Sequence, residues 1–231
     1  MKIGIIGLGV VGSANKYGFE KIGHKVFVHD IKLKTNIDVI KNTEIVFLCV
    51  PTPSNKDGSC NTDIVERVIK NLHTINYDGV ICIRSSTEPG FTERAIKKFK
   101  NNKICFVPEF LRERMAKKDF TENHNLLAVG TRNKKVFNYV VKAHSNLPKK
   151  VAILKPTEAE ILKYYINVFA SLRVTFANII YEICEKFGCN YEKIKNSYVD
   201  TGRGSPKMYL SVSKKLRGYA GICLPKDTRT I

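Results

Sequence analysis

The segment Gly7-Leu8-Gly9-Val10-Val11-Gly12 limits the fold of this chain more than any other feature. It has the spacing G-x-G-x-x-G, with an apolar run at residues 2–6 before it and a helical pattern at residues 10–22 after it. A strand entering such a turn uses the first glycine for a tight bend. The second lets a pyrophosphate approach the backbone, and the third lets the helix pack close to the sheet. The phosphates then meet the amides at the helix N-terminus. Asp30 closes the next strand-like run, at the distance where a carboxylate accepts hydrogen bonds from an adenosine ribose. A carboxylate there repels a 2′-phosphate, so the expected cofactor is NAD rather than NADP; Lys32 and Lys34 follow closely and soften that preference. Gly7, Gly9, Val10, Val11, Gly12 and Asp30 are the cofactor contacts this reading implies.

The rest of the chain repeats the strand–helix alternation. Buried strands rich in Ile, Val and Phe are expected at residues 2–6, 25–29, 45–50, 80–83 and 104–107, with helices at 10–22, 63–73 and 91–100. Only residues 31–44 separate the second and third strands, room for a single small helix. A further strand at 126–130, a helix at 133–143 and a strand at 151–154 lead to Pro156-Thr157-Glu158, a helix start with proline and acid in its first turn. From there Ile161, Tyr165, Val168, Leu172, Phe176, Ile179 and Ile183 step by three or four, one apolar stripe to about Lys186, with Gly188 as the stop. Gly202, Gly204, Ser205 and Pro206 mark residues 200–221 as mostly loop. The fold class expected is α/β: a Rossmann-like parallel sheet, a long central helix and a small helical and loop region. The domains expected are 1–155, which binds NAD, and 156–231.

Composition narrows the class of function. The net charge is +18, but the lysines are spread along the chain in doublets such as Lys97-Lys98 and Lys134-Lys135. A nucleic-acid footprint gathers its cations on one face with aromatic residues between them. Solvated lysine, with some steering of a phosphate-bearing ligand, is the better reading, and no nucleic-acid partner is expected. The seven cysteines contain no C-x-x-C pair, so neither a disulfide framework nor a zinc ribbon is expected, and a reducing, cytoplasmic compartment fits. Cys49, Cys82 and Cys105 fall in apolar runs as core thiols, whereas Cys223 does not. Three spaced glycines and an immediate helix argue against reading the opening as a leader peptide. No apolar run approaches transmembrane length, so a soluble protein without a membrane partner is expected.

Four more segments carry chemistry: Pro51-Thr52-Pro53, Ser85-Ser86-Thr87-Glu88-Pro89-Gly90, Pro108-Glu109-Phe110-Leu111-Arg112-Glu113, and Gly221-Ile222-Cys223-Leu224-Pro225-Lys226-Asp227. The first three close strands at their carboxyl ends, where open α/β sheets hold ligands. With P-E-F-L-R-E and C-L-P-K-D together, and Glu160-Ile161-Leu162-Lys163-Tyr164-Tyr165-Ile166-Asn167 on the long helix, the chain resembles the UDP-glucose/GDP-mannose dehydrogenase family over nearly all its length.

That resemblance implies oxidation of a nucleotide-sugar C6 alcohol to the carboxylate, with two NAD used in succession. Cys223 is then the nucleophile that holds the aldehyde as a thiohemiacetal and later a thioester, its thiolate favoured by Lys226. Lys163 and Asn167, four apart on a helix, become donors to the C6 oxyanion. Glu109 becomes the acid/base for thioester hydrolysis, with Thr87 and Asp227 positioning the water. Thr52, Thr87 and Glu113 join the cofactor contacts, and Phe110, Leu111, Glu113, Lys163, Asn167, Tyr209 and Gly221 are implied to contact substrate. The resemblance also implies a homodimer through the central helix. Ala220 stands where the family usually has a second glycine, and Ile222 replaces a usually smaller or polar residue. The chain ends at Ile231, where the typical member continues into a second α/β domain. From this follows a rival expectation, a family member that binds NAD without turnover. The choice among UDP-glucose, GDP-mannose and UDP-N-acetyl sugars stays open at this point.

Overall fold

The computed structural model describes residues 1–202, 209–213, 215, 217–221 and 223–231. Gly204, Ser205, Pro206 and Ile222, singled out above, lie outside them. The chain divides into two compact units, Met1–Lys163 and Tyr164–Ile231.

The first unit is built on seven strands: β1 Lys2–Ile6, β2 Lys25–His29, β3 Ile45–Leu48, β4 Val80–Ile83, β5 Ile104–Phe106, β6 Leu126–Gly130 and β7 Lys150–Leu154. They form one sheet in the order β2-β1-β3-β4-β5-β6-β7. Helices α1 Val10–Lys21, α2 Asp63–Thr74, α3 Phe91–Phe99, α4 Ala116–Thr121 and α5 Lys134–His144 connect them, and α6 Pro156–Lys186 follows β7. Alternate residues of a strand enter opposite cores. Ile45 and Phe47 pack with Phe19 and Phe120 in one, while Val46 and Leu48 pack with Val65 and Ile69 in the other. Burial on both faces explains why these strands read as unbroken apolar runs.

Three expectations need correction. The sheet is not wholly parallel: β5 meets β6 antiparallel through Phe106 and Gly130, before β6 and β7 pair parallel. The intervening α4 packs on α1 and is only six residues long, too short to serve as a full crossover. The link from β2 to β3 holds two 3-10 turns, Ile31–Leu33 and Ile37–Ile40, instead of one small helix. Asp30 and Asn36 each cap one of them from a side-chain oxygen. Finally, α6 is long and apolar enough, by length and composition, to cross a membrane.

The second unit contains α6 from Tyr164 onward, α7 Tyr191–Asp200 and α8 Cys223–Thr230. Ala177, Tyr181 and Cys184 of α6 pack with Tyr191 and Leu210, and the Tyr191 hydroxyl donates to the Leu210 carbonyl at 2.6 Å. Along the remaining face of α6, Tyr165, Leu172, Phe176, Ile179 and Ile183 are exposed.

Candidate active site

Each glycine of the N-terminal turn has a different reason to be there. Gly7 sits at φ +92°, and a Cβ on it would come within 2.6 Å of the Cys49 carbonyl oxygen. A Cβ on Gly12 would lie 1.9 Å from the Gly7 carbonyl oxygen, so the start of α1 packs against the turn only without one. The chain's own packing makes no such demand at Gly9, where a Cβ would meet nothing within 4 Å. Gly9 is also the cap of α1, with no side chain accepting from the first-turn amides. Open space over a helix N-terminus whose amides lack a side-chain acceptor fits a pyrophosphate. Val10 is exposed and Val11 half-buried beside it.

Asp30 is tied into the same turn. Its Oδ2 accepts from the Leu8 amide at 2.6 Å and its Oδ1 from the Lys32 amide at 2.7 Å. The Leu8 hydrogen bond, aided by that of Lys32, holds its pKa below the ordinary carboxylate range. Each oxygen keeps a further lone pair for a ribose hydroxyl.

The carboxyl ends of β3, β4 and β5 hold the next group. Ser85 donates its hydroxyl to the Val50 carbonyl at 2.7 Å, fastening the end of β4 to the half-buried Thr52 segment. Glu109 is held by α6: Lys163 Nζ donates to its carbonyl oxygen at 2.7 Å and to Oε1 at 3.2 Å, while Oε2 accepts from the Leu111 amide at 2.9 Å. Both partners are largely buried, with side chains 7% and 11% exposed. Arg112 of the same motif turns away to a bidentate pair with Asp119 at 2.6 and 2.8 Å. Arg112 holds Asp119 at a pKa of about 2. Glu113 opens a 3-10 turn and is exposed, and Phe110 and Leu111 are half-buried. Thr87 is fully buried, and its hydroxyl points to Glu160 of α6 at 3.4 Å.

In the second unit Asn167 Nδ2 donates to Asp227 Oδ2 at 2.5 Å, and Lys226 Nζ donates to Asp227 Oδ1 at 2.5 Å. Cys223 is the first residue of α8 and is exposed, one turn before Asp227 on the same helix. None of the seven cysteines forms a disulfide. Tyr209 has φ +68°, with the Arg173 guanidinium 5.8 Å from its ring centroid, and Gly221 has φ +94° with open space where a Cβ would stand.

The implied residues therefore fall into connected sets: Gly7 to Gly12 with Asp30; Glu109 with Lys163; and Asn167 with Asp227 and Lys226. Thr87 bonds to Glu160, a residue quoted above in the helix motif but given no role. The available signal was spacing: Glu160 is one turn before Lys163 on α6.

An α/β sheet with this turn and this charged cluster at its strand ends defines a dinucleotide-binding dehydrogenase class. The comparisons resolve the class further: residues 31–147 match the NAD binding domain, and residues 157–231 the central domain, of the UDP-glucose/GDP-mannose dehydrogenase family. The chain belongs to that family, and its N-terminal unit is an NAD-binding domain. UDP-glucose 6-dehydrogenase of Rickettsia bellii is 32% identical over 198 residues, covering 81% of this chain and 44% of the relative. UDP-glucose 6-dehydrogenase YwqF of Bacillus subtilis is 28% identical, covering 100% of this chain and 61% of the relative. The chain thus spans about half the length of such curated relatives. Among solved structures, a UDP-glucose dehydrogenase from Pyrobaculum islandicum superposes with a TM-score of 0.86 at 23% identity, covering 99% of this chain and 62% of that one. A GDP-mannose dehydrogenase from Pseudomonas aeruginosa gives 0.78 at 23% identity, covering 98% and 62%. These two likenesses establish the fold.

Proposed function

We propose that the chain carries the NAD-binding and central parts of a nucleotide-sugar 6-dehydrogenase, which oxidises a C6 alcohol to the carboxylate. UDP-glucose is the first substrate to test, because the similar curated proteins bear the name UDP-glucose 6-dehydrogenase. The observation that carries the reading is the buried Lys163–Glu109 pair, an ammonium able to meet an oxyanion beside a carboxylate able to take a proton.

Bound NAD supplies the hydride acceptor. In this reading the Gly7–Gly12 turn and Asp30 hold it, with Thr52, Thr87 and Glu113 nearer its reactive end. The Cys223 thiol adds to the C6 aldehyde, so that loss of the second hydride leaves a thioester. Lys163 and Asn167 donate to the C6 oxygen wherever negative charge develops on it. Glu109 accepts a proton from the water that hydrolyses the thioester, with Thr87 and Asp227 placing that water. Phe110, Leu111, Tyr209 and Gly221 contribute sugar-nucleotide contacts. We place the protein in the cytoplasm, where cysteines stay reduced, and as a homodimer through the exposed stripe of α6.

The test follows NADH formation by the full-length protein with UDP-glucose, GDP-mannose and UDP-N-acetyl sugars. Two NADH per sugar acid formed, and loss of acid in Cys223→Ser with NAD affinity kept, is the expected result. Binding of NAD with no NADH from any of these substrates would support the rival reading, a family member without turnover.

A further inference from the structure

Beside the Gly-rich turn, a cavity of about 390 Å³ opens between α1 and the segment that follows Pro108-Glu109-Phe110-Leu111-Arg112. Val10, Ser13 and Ala14 of α1 form one wall, and Glu113, Arg114 and Lys117 belong to the other. Both walls lie within the N-terminal unit. At Val10 the cavity reaches the first turn of α1, whose amides have no side-chain acceptor.

The α1 wall brings no cation of its own. Residues 7–15 contain neither Lys nor Arg, and Lys16, the next residue, is paired with Glu20 at 2.7 Å. Ser13 donates its hydroxyl to the Leu8 carbonyl at 3.2 Å, so its proton is engaged inside the turn. A helix N-terminus presents only about half a positive charge, whereas a pyrophosphate carries a negative charge on each phosphate. The facing segment holds several cations, most of them engaged. Arg112 is tied to Asp119, the Lys117 ammonium lies over the Tyr17 ring at 5.2 Å, and Lys118 faces Glu122 at 3.8 Å. Arg114 is exposed and has no hydrogen bond or ion pair among the described residues.

The backbone that carries Arg114 is held against α1. The Arg112 amide donates to Asp119 Oδ2 at 3.0 Å, and the Arg112 carbonyl accepts from the Met115 amide at 2.8 Å, closing a turn around Arg114. Gly18 of α1 leaves room for the Phe120 ring of α4, which would stand 2.1 Å from a Cβ there. Only the Arg114 side chain is left to order when an anion arrives, which keeps the cost of binding low. Glu113, its neighbour on the wall, brings a carboxylate, which repels a phosphate and attracts a cationic nicotinamide ring. Side by side the two match the charges of oxidised NAD.

We propose that Arg114 is the counter-cation of the NAD pyrophosphate, reaching into this cavity to pair with a phosphate whose other oxygens meet the α1 amides. The proposal rests on the assignment of the N-terminal unit as an NAD-binding domain, and on neither turnover nor the identity of the sugar. A guanidinium suits the role because its planar fork meets two phosphate oxygens at once.

The test titrates the full-length protein by calorimetry with NAD and with ADP-ribose, which keeps the pyrophosphate and lacks nicotinamide. Arg114→Ala should weaken both ligands by the same factor, on the order of tenfold, as expected for loss of a charge-assisted hydrogen bond. Arg114→Lys should recover part of the loss, since it restores the charge without the fork. Added salt should weaken NAD more in the unsubstituted protein than in Arg114→Ala. Lys118→Ala, on the same segment but turned to Glu122, should change either affinity by no more than about twofold. The melting temperature of Arg114→Ala should stay that of the unsubstituted protein, which a residue holding the fold would not allow. Unchanged NAD affinity in Arg114→Ala overturns the proposal. So does a loss confined to NAD, which would assign Arg114 to the nicotinamide end, or an equal loss in Lys118→Ala, which would assign the effect to the general field of this surface. No NAD binding by the unsubstituted protein overturns the cofactor assignment and the proposal together.

Discussion

Lys163 Nζ donates to both the main-chain and the side-chain oxygen of Glu109, at 2.7 and 3.2 Å, so one ammonium from α6 fixes the end of β5 and its carboxylate together. With both side chains nearly out of solvent, the pair is held by mutual compensation. Removing one member strands the other as a buried charge. Lys163→Met should therefore lower the urea stability of the N-terminal unit by about 3 kcal/mol. Lys163→Met with Glu109→Gln should recover much of that loss, since no uncompensated charge is left. A double variant less stable than Lys163→Met alone would show that the pair holds the fold by some other means.

Asp30 gives a prediction about the cofactor that differs from the simple ribose picture. Its carboxylate accepts from the Leu8 amide inside the Gly-rich turn as well as being the group proposed to meet the ribose. The protein should bind NAD more tightly than NADP. Asp30→Ala should weaken NAD on the order of tenfold, by the loss of charge-assisted hydrogen bonds. It should not bring NADP up to the wild-type NAD affinity, because the turn loses an acceptor whichever cofactor arrives. Calorimetric titration of both cofactors decides it. NADP binding to Asp30→Ala as tightly as NAD binds the wild type would confine the carboxylate's role to the ribose.

Those two pairs also show what could be seen in the sequence. Burial on both faces leaves unbroken apolar runs, so β1, β4 and β6 could be read to the residue, as could the half-buried edge strand β2, and α6 announced itself by its stripe and its Pro156 start. The short α4 and α7 lack such a signal: α4 buries only Ala116, Asp119 and Phe120, and α7 only Tyr191. The direction of β6 depends on where α4 packs, which no local pattern records. At the site, the family resemblance of their motifs picked out Lys163 and Glu109 separately, but their contact spans 54 residues of sequence. Glu160 was hidden for the same reason, because its donors come from the β4–α3 turn about 70 residues earlier.

A buried basic cluster sets the response to acid. Arg84 Nη2 lies 2.5 Å from His144 Nε2, with the Arg84 guanidinium stacked over Phe47 and Phe120. Burial, with Arg84 close by, drives the His144 pKa well below its ordinary value and that of His124 to about 4. The sign follows from proton counts. Below about pH 6.5 an unfolded histidine takes up a proton that the folded one refuses, so stability falls as pH drops. Each such histidine contributes a slope of about 1.4 kcal/mol per pH unit, down to its folded pKa. Denaturation of the chain between pH 7 and pH 5 should show this decline, and His124→Leu should make it shallower. A stability that stays level over this range would mean these histidines accept protons within the fold.

The Arg112–Asp119 pair acts at lower pH and with the opposite kind of group. The Asp119 carboxyl is held at about 2, below its unfolded value of roughly 3.9. Its contribution is fully present above the unfolded value and is lost as pH falls toward 2. The stability gap between the wild type and Asp119→Asn should therefore stay constant near pH 6 and close between pH 4 and pH 2. A gap that persists at pH 2 would assign the effect to packing or to the Arg112 amide, which also donates to Asp119.

The exposed stripe of α6 yields the last prediction, about assembly. Tyr165, Leu172 and Phe176 are 69%, 60% and 61% exposed, and they lie on a helix whose hydropathy would also suit a membrane. Contiguous apolar surface of this kind on a soluble protein marks an interaction site. Two arguments favour a second copy of the chain over lipid. The first turns of α6 bury Glu160 and Lys163 in paired positions, which a bilayer would have to break. A single stripe, unlike an all-round apolar surface, suits helix-on-helix packing. Burying about 100 Å² of apolar surface contributes roughly 2.5 kcal/mol, so a few such side chains from each copy suffice for association. Sedimentation at micromolar concentration should give a dimer, and Leu172→Lys with Phe176→Glu should give a monomer with unchanged helix content. The same protein should not float with lipid vesicles. Flotation of the wild type, lost in the double variant, would assign the stripe to a membrane, and a monomeric wild type that ignores vesicles would leave neither partner in place.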